Sequence, residues 1–108
     1  MKYILEGREI KKVDLMTWAK WFETADRQIG KDEIDGVIVS TVFLGIDHSF
    51  GKGMQPILFE TMVFGGEFGQ EQERYCTYTA AEEGHKRWVK KIKLCERIEP
   101  SAVEKGRE

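Results

Sequence analysis

Apolar and polar positions change their spacing several times along the chain, and each change marks an element. Residues 2–5 (KYIL) read as a short strand, closed by a turn signal at Glu6-Gly7. Residues 8–13 read as a second strand pairing back on it. Asp14 stands just ahead of a helical pattern, where its carboxylate can accept from the free amides of a first turn. Leu15, Trp18, Phe22 and Ala25 recur at steps of three and four, with Lys20 and Glu23 on another face, which predicts a helix over 15–27. Gly30 is the expected stop.

The period then falls to two. Residues 29–34 lead into Asp35-Gly36, a type I′ hairpin signal, because both central positions of that turn need positive φ. Residues 37–44 (VIVSTVFL) are rich in β-branched side chains and apolar on both faces except at Ser40 and Thr41, as in a covered central strand. The glycine-rich stretch 45–56 is predicted irregular. Residues 57–64 (ILFETMVF) form another strong strand, Gly65-Gly66 opens a turn, and residues 72–78 form the last strand. Thr79-Ala80-Ala81-Glu82 fits a capping box. It opens a helix with Ala81, His85, Trp88, Ile92 and Cys95 on one face. Residues 97–108, with Pro100 and Gly106, are expected to form a flexible charged tail beyond a single domain of residues 1–96. The element order predicts an α+β fold: an antiparallel sheet of four to five strands with two helices packed on one face.

Composition adds limits rather than chemistry. The 108 residues are 41% apolar and 33% charged, which suits one globular domain. No stretch approaches the ~18 consecutive apolar residues of a membrane span, so no membrane partner is expected. A net charge of −2 does not by itself imply a polyanionic partner. Cys76 and Cys95 form no CxxC pair, and reduced thiols in the cytoplasm are the simplest reading.

Few residues carry recognisable chemistry. Gly45, five residues on, is followed by Gly51-Lys52-Gly53, but a phosphate-binding loop needs four intervening residues, a Ser or Thr after the lysine, and a helix next. A strand follows here, so the motif is rejected. His48 beside Asp47 invites a base or ligand role, opposed by the fact that chain neighbours rarely face each other. His85 lies on the apolar stripe of the last helix, where packing is the simpler role. Glu60 sits among apolar neighbours and needs a mate, for which Arg74 on the adjacent predicted strand is placed. Lys86, Lys90, Lys93 and Arg97 fall on one helical stripe beside Arg87 and Lys91. That basic face suits a phosphate backbone, although lysines gathered toward a helix end are also what the helix dipole favours. No cofactor motif, metal-ligand spacing or nucleophile signature is present.

Several phrases together carry a resemblance: WFETADR at 21–27, VSTVFLGIDHSFG at 39–51, LFETMVFGG at 58–66, RYCTY at 74–78 and EGH at 83–85. Over most of residues 14–92 this pattern resembles a family of small uncharacterised bacteriophage and prophage proteins. Members carry Pro-Pro or a similar pair before the LFETMVF strand, where this chain has Met54-Gln55-Pro56, and their tails are shorter. The resemblance implies a viral gene product in the bacterial cytoplasm and no particular reaction. If its shared phrases mark a site, the candidates are Asp47, His48, Glu60, Arg74 and His85. The expected function is a non-enzymatic accessory protein that binds a host macromolecule, such as a defence component. The alternatives are a nucleotide or nucleic-acid binder using the basic face, and a metal-dependent hydrolase centred on His48 and His85. An edge strand at 2–5 or 72–78 offers a route to a homodimer.

Overall fold

Strict alternation decides the centre of the molecule. In the computed structural model, which describes residues 2–49 and 55–103 and side chains as far as residue 95, Val37, Val39, Thr41 and Phe43 are all buried while the residues between them are half-buried. They lie on β4 (Val37–Phe43), which pairs antiparallel with β3 (Gln28–Ile34) on one side and β5 (Phe59–Phe64) on the other. β6 (Gln72–Tyr75) completes a four-stranded sheet in the order β3-β4-β5-β6. The predicted Asp35-Gly36 turn closes β3 onto β4, with φ of 50° and 85°, the left-handed pair that a type I′ turn requires.

The α+β architecture is as the sequence predicts, and the N-terminal strands add a subdivision to it. β1 (Lys2–Glu6) and β2 (Glu9–Val13) pair only with each other, as a separate two-stranded hairpin. One bridge, Lys2 to Ile46, ties β1 to the chain just beyond β4. The first helix, α1 (Leu15–Thr24), packs chiefly on β1 and reaches the main core through Trp21, edge-on to Phe43 at 5.7 Å. Asp14 caps it as expected, accepting from the Thr17 amide at 2.8 Å. The helix stops at Ala25, five residues before the predicted glycine. Gly30 instead lies within β3, beside a bulge between Gln28 and Gly30.

The second helix, α2 (Tyr78–Val103), lies across the buried face of the sheet and contacts all four of its strands. Its cap is Thr77, whose hydroxyl accepts from the Ala80 amide at 3.1 Å, rather than Thr79. Glu82, expected to reach back to the helix start, is bound to Arg8 of the β1–β2 turn at 3.0 and 3.3 Å. That ion pair, with the Arg8 guanidinium stacked 4.3 Å over the Tyr78 ring, fastens the hairpin to the helix. The helical backbone continues past residue 96 into the stretch expected as a tail, and residues 104–108 lie outside the described residues. No helix among the described residues is long and apolar enough to cross a membrane.

Close approach of α2 to the sheet depends on Gly84. A Cβ there would overlap the ring and hydroxyl of Tyr75 on β6, and neither the helix backbone nor a buried ring is free to yield. Gly84→Ala should therefore destabilise the fold by about 1–3 kcal/mol despite alanine's better helix propensity, read from the midpoint of urea unfolding. An unchanged midpoint would show that α2 can lift off the sheet at no cost.

Candidate functional site

Beneath α2 the sheet carries a line of polar side chains running from one edge strand to the other. His85 hangs from the helix over β3 and β4, buried, with its ring packed on Gly30, where a Cβ would be only 3.0 Å from the imidazole. Its Nε2 lies 2.7 Å from Asp32 Oδ2 on β3, and its Nδ1 lies 2.7 Å from Thr41 Oγ1 on β4. Thr41 Oγ1 is 2.5 Å from Thr61 Oγ1 on β5. The Tyr75 hydroxyl on β6 is 2.9 Å from Thr61 Oγ1 and 3.1 Å from Glu73 Oε1. Glu73 also accepts from Trp88 Nε1 at 3.0 Å. Burial raises the Tyr75 phenol above its usual pKa, so it stays protonated.

The proton count gives this chain two consistent directions. With a proton on His85 Nε2 alone, that nitrogen donates to Asp32. Tyr75 then donates to Thr61, Thr61 to Thr41, and Thr41 to Nδ1. With both ring nitrogens protonated, each hydroxyl turns round and Tyr75 donates to Glu73 instead. In either direction every buried member is bonded, which is the condition for a polar layer in an apolar core.

Asp32, His85 and Thr41 have the connectivity of a carboxylate–histidine–hydroxyl triad, but its accessibility is inverted. The Asp32 side chain is 54% exposed, whereas Thr41 is 0% exposed. A nucleophilic hydroxyl has to meet its substrate. Sealed under α2, this one meets only protein.

The sequence candidates do not share one cavity. Asp47 is a loop brace: its Oδ1 accepts from the amides of Ser49 (2.8 Å) and Ile57 (2.9 Å), joining the two ends of the stretch predicted as irregular. His48 is exposed, and its backbone amide also bonds Ile57, through the carbonyl at 3.0 Å. Glu60 and Arg74 face each other on β5 and β6 and pair at 3.0 Å, on the sheet face away from α2. His85 lies under the opposite face. His48 and His85 thus belong to different regions, and no three His, Cys, Asp or Glu side chains among the described residues gather as a metal site. Cys76 and Cys95 are free thiols. The rejected glycine motif falls largely on residues 50–54, outside the described residues.

The basic face of α2 divides in two. On one flank Lys86, Lys90 and Lys93 join Val89, Leu94 and the Asp32–His85 pair to line a groove of about 440 Å³ along β3. On the other flank Arg87 lies 3.5 Å from Glu73, and Lys91 sits over the Phe68 and Trp88 rings at 4.6 and 4.9 Å. Arg97, the last residue of the predicted stripe, lies beyond the described side chains. Sequence reasoning missed Asp32, Thr41, Thr61, Tyr75 and Glu73. A threonine near the centre of each of two largely apolar strands was the available signal.

Compared with known proteins, the chain matches no family model, no curated protein and no solved structure.

Two outcomes follow from this geometry. Thr61→Val leaves Thr41 and Tyr75 each short of a partner and should cost about 1–3 kcal/mol in urea unfolding, with Thr61→Ser closer to the parent. Because they share one chain, Thr41→Val and Thr61→Val together should cost less than the sum of their separate effects. Strict additivity would show that the hydroxyls act independently. The second outcome concerns acid. Amide donation from Ser49, then Ile57, holds the Asp47 carboxyl below its usual range. A depressed folded pKa gives stability that is complete above the unfolded value near ~4 and is lost as pH falls through the folded one. Asp47→Asn should therefore lose less stability than the parent between about pH 6 and pH 3, and equal losses would contradict the brace.

Proposed function

We propose that this chain acts by binding a macromolecule, and that its contact surface is the groove between α2 and the edge of β3. The observation that carries the reading is the position of Lys86, Lys90 and Lys93. They lie in the interior of a helix that runs from Tyr78 to Val103, whereas the helix dipole acts only over the last turn. A solubility role asks for no groove, yet these lysines border one floored by Val89 and the 46%-exposed Leu94. None of the three forms an ion pair among the described residues. Cationic side chains around an apolar floor, beside a sheet edge, form a surface that takes an anionic partner.

A non-enzymatic role is supported by the sealed Thr41 hydroxyl and by the dispersal of the remaining candidates. The resemblance of residues 14–92 to phage and prophage proteins supplies the setting, in which the partner is a macromolecule of the bacterial host. A nucleotide or nucleic acid on the same lysines is the second reading, supported by their common stripe. Neutralising three phosphates gives a log–log salt slope of about −2 to −3.

Lys90→Glu with Lys93→Glu tests the surface. Both side chains are exposed, so unfolding midpoints should stay within about 0.5 kcal/mol of the parent. From bacterial lysate the parent should retain macromolecules that the double variant loses, and nuclease treatment separates the two readings. Identical capture by both proteins would remove the groove from consideration.

A further inference from the structure

Resting on the groove reading, we infer that the partner is an extended peptide segment bearing acidic side chains, added as a fifth strand to the open edge of β3.

β3 is the outer strand of the sheet, and among the described residues nothing pairs with its other side. Its register fixes what that edge offers. Ile34 and Val37 flank a two-residue turn, so they form the hydrogen-bonded closing pair of the hairpin. Asp32, two residues back, also turns its backbone groups toward β4. The amides and carbonyls of Lys31 and Glu33 therefore face outward, presenting a donor and an acceptor at each of two residues. A strand completes such an edge, whereas a phosphate backbone, having acceptors only, can take up the outward amides but offers the carbonyls no donor and meets them as like charge.

Side chains separate the two faces of an added strand. Those on the helix side enter the groove, between Lys86, Lys90 and Lys93 and against Val89 and Leu94. Acidic residues with an apolar neighbour match that lining. The one carboxylate already there, Asp32, is bound to His85, which leaves the lysines in excess. Side chains on the other face meet Lys31 and Glu33, a neutral pair. A second copy of this chain fits badly. Pairing β3 with its own copy places two Asp32 carboxylates near the symmetry axis and brings the two lysine rows together.

The test uses a blocked peptide of alternating valine and glutamate, about nine residues long so that it spans β3, titrated into the labelled full chain and followed by amide NMR. The expected result is displacement of Lys31 and Glu33 amides and slower hydrogen exchange at both, with Val89 and Leu94 also shifting. Lys90→Glu/Lys93→Glu should weaken binding roughly tenfold or more, and an alternating valine–lysine peptide should not bind. Glu33→Pro removes an outward amide that the sheet does not use and should abolish binding with the groove intact. The same peptide N-methylated at alternate residues, made in both phases, repeats that test without altering the protein. Binding that shifts Val89 and Leu94 but ignores proline and N-methylation would overturn strand addition and leave the groove reading standing. Binding of a single-stranded oligonucleotide in place of the peptide, lost on lysine reversal, would overturn the inference in favour of nucleic acid. If neither probe disturbs the groove, both readings fall.

Discussion

The contact on which the rest depends is the imidazole of His85 wedged between Gly30, Asp32 and Thr41. Among the described residues it is the one titratable side chain of α2 that is buried. Its two nitrogens reach different strands, so it fixes the helix both in rotation and along its axis. Apolar packing of Ala81 and Ile92 attracts the helix to the sheet but is tolerant of small slides, because dispersion has little direction. Hydrogen bonds at 2.7 Å on both sides of one ring are not tolerant.

The same ring constrains the sheet. Thr41 and Thr61 sit directly opposite each other in the β4–β5 register, and Tyr75 extends the line to β6. Slipping β4, β5 or β6 by one residue would carry its hydroxyl to the other face and leave each neighbour in the line short of a partner. A satisfied hydroxyl pair adds only about 1 kcal/mol, but an orphaned one costs more than it gave. The polar line therefore acts less as glue than as a penalty on every wrong arrangement, which is the best-attested use of polar groups in a core. Purely apolar side chains at 41 and 61 would fill the space, but the Asp35-Gly36 turn sets only the β3–β4 register and would not replace them between β4 and β5.

What the sequence disclosed follows the range of the forces involved. The Asp35-Gly36 turn, the Asp14 cap and the β-branched run of β4 are local, and all are visible in short windows. The Glu60–Arg74 pair was readable because two strands of opposite sense place neighbours predictably. The cap of α2 was misplaced by two residues because Thr77 and Thr79 both precede an alanine-rich turn, and Arg8, far away in the chain, decides what Glu82 does. Gly30 read as a helix stop because its real duty, making room for a ring 55 positions later, leaves no trace near it. Asp32 and His85, 53 residues apart, have no spacing that could have joined them. The five candidate side chains had chemistry in common but not a location, and only topology assigns location.

Rigidity under α2 also bears on recognition. By helical periodicity, fixing His85 inward fixes residues 86, 89, 90 and 93 on the flank above β3. The groove is thus set by the fold before any partner arrives, and little conformational freedom remains to be lost there on binding. The lysine heads are exposed to solvent while the backbone beneath them is held in helix and sheet, which combines a tolerant charge match with a fixed hydrogen-bonding edge. A surface of that kind selects by backbone geometry first and side-chain charge second. Asp32 contributes at the boundary between the two: anchored to His85, it keeps the groove floor polar at one end. It also denies the open edge a continuous apolar strip, the feature through which β edges otherwise pair without discrimination.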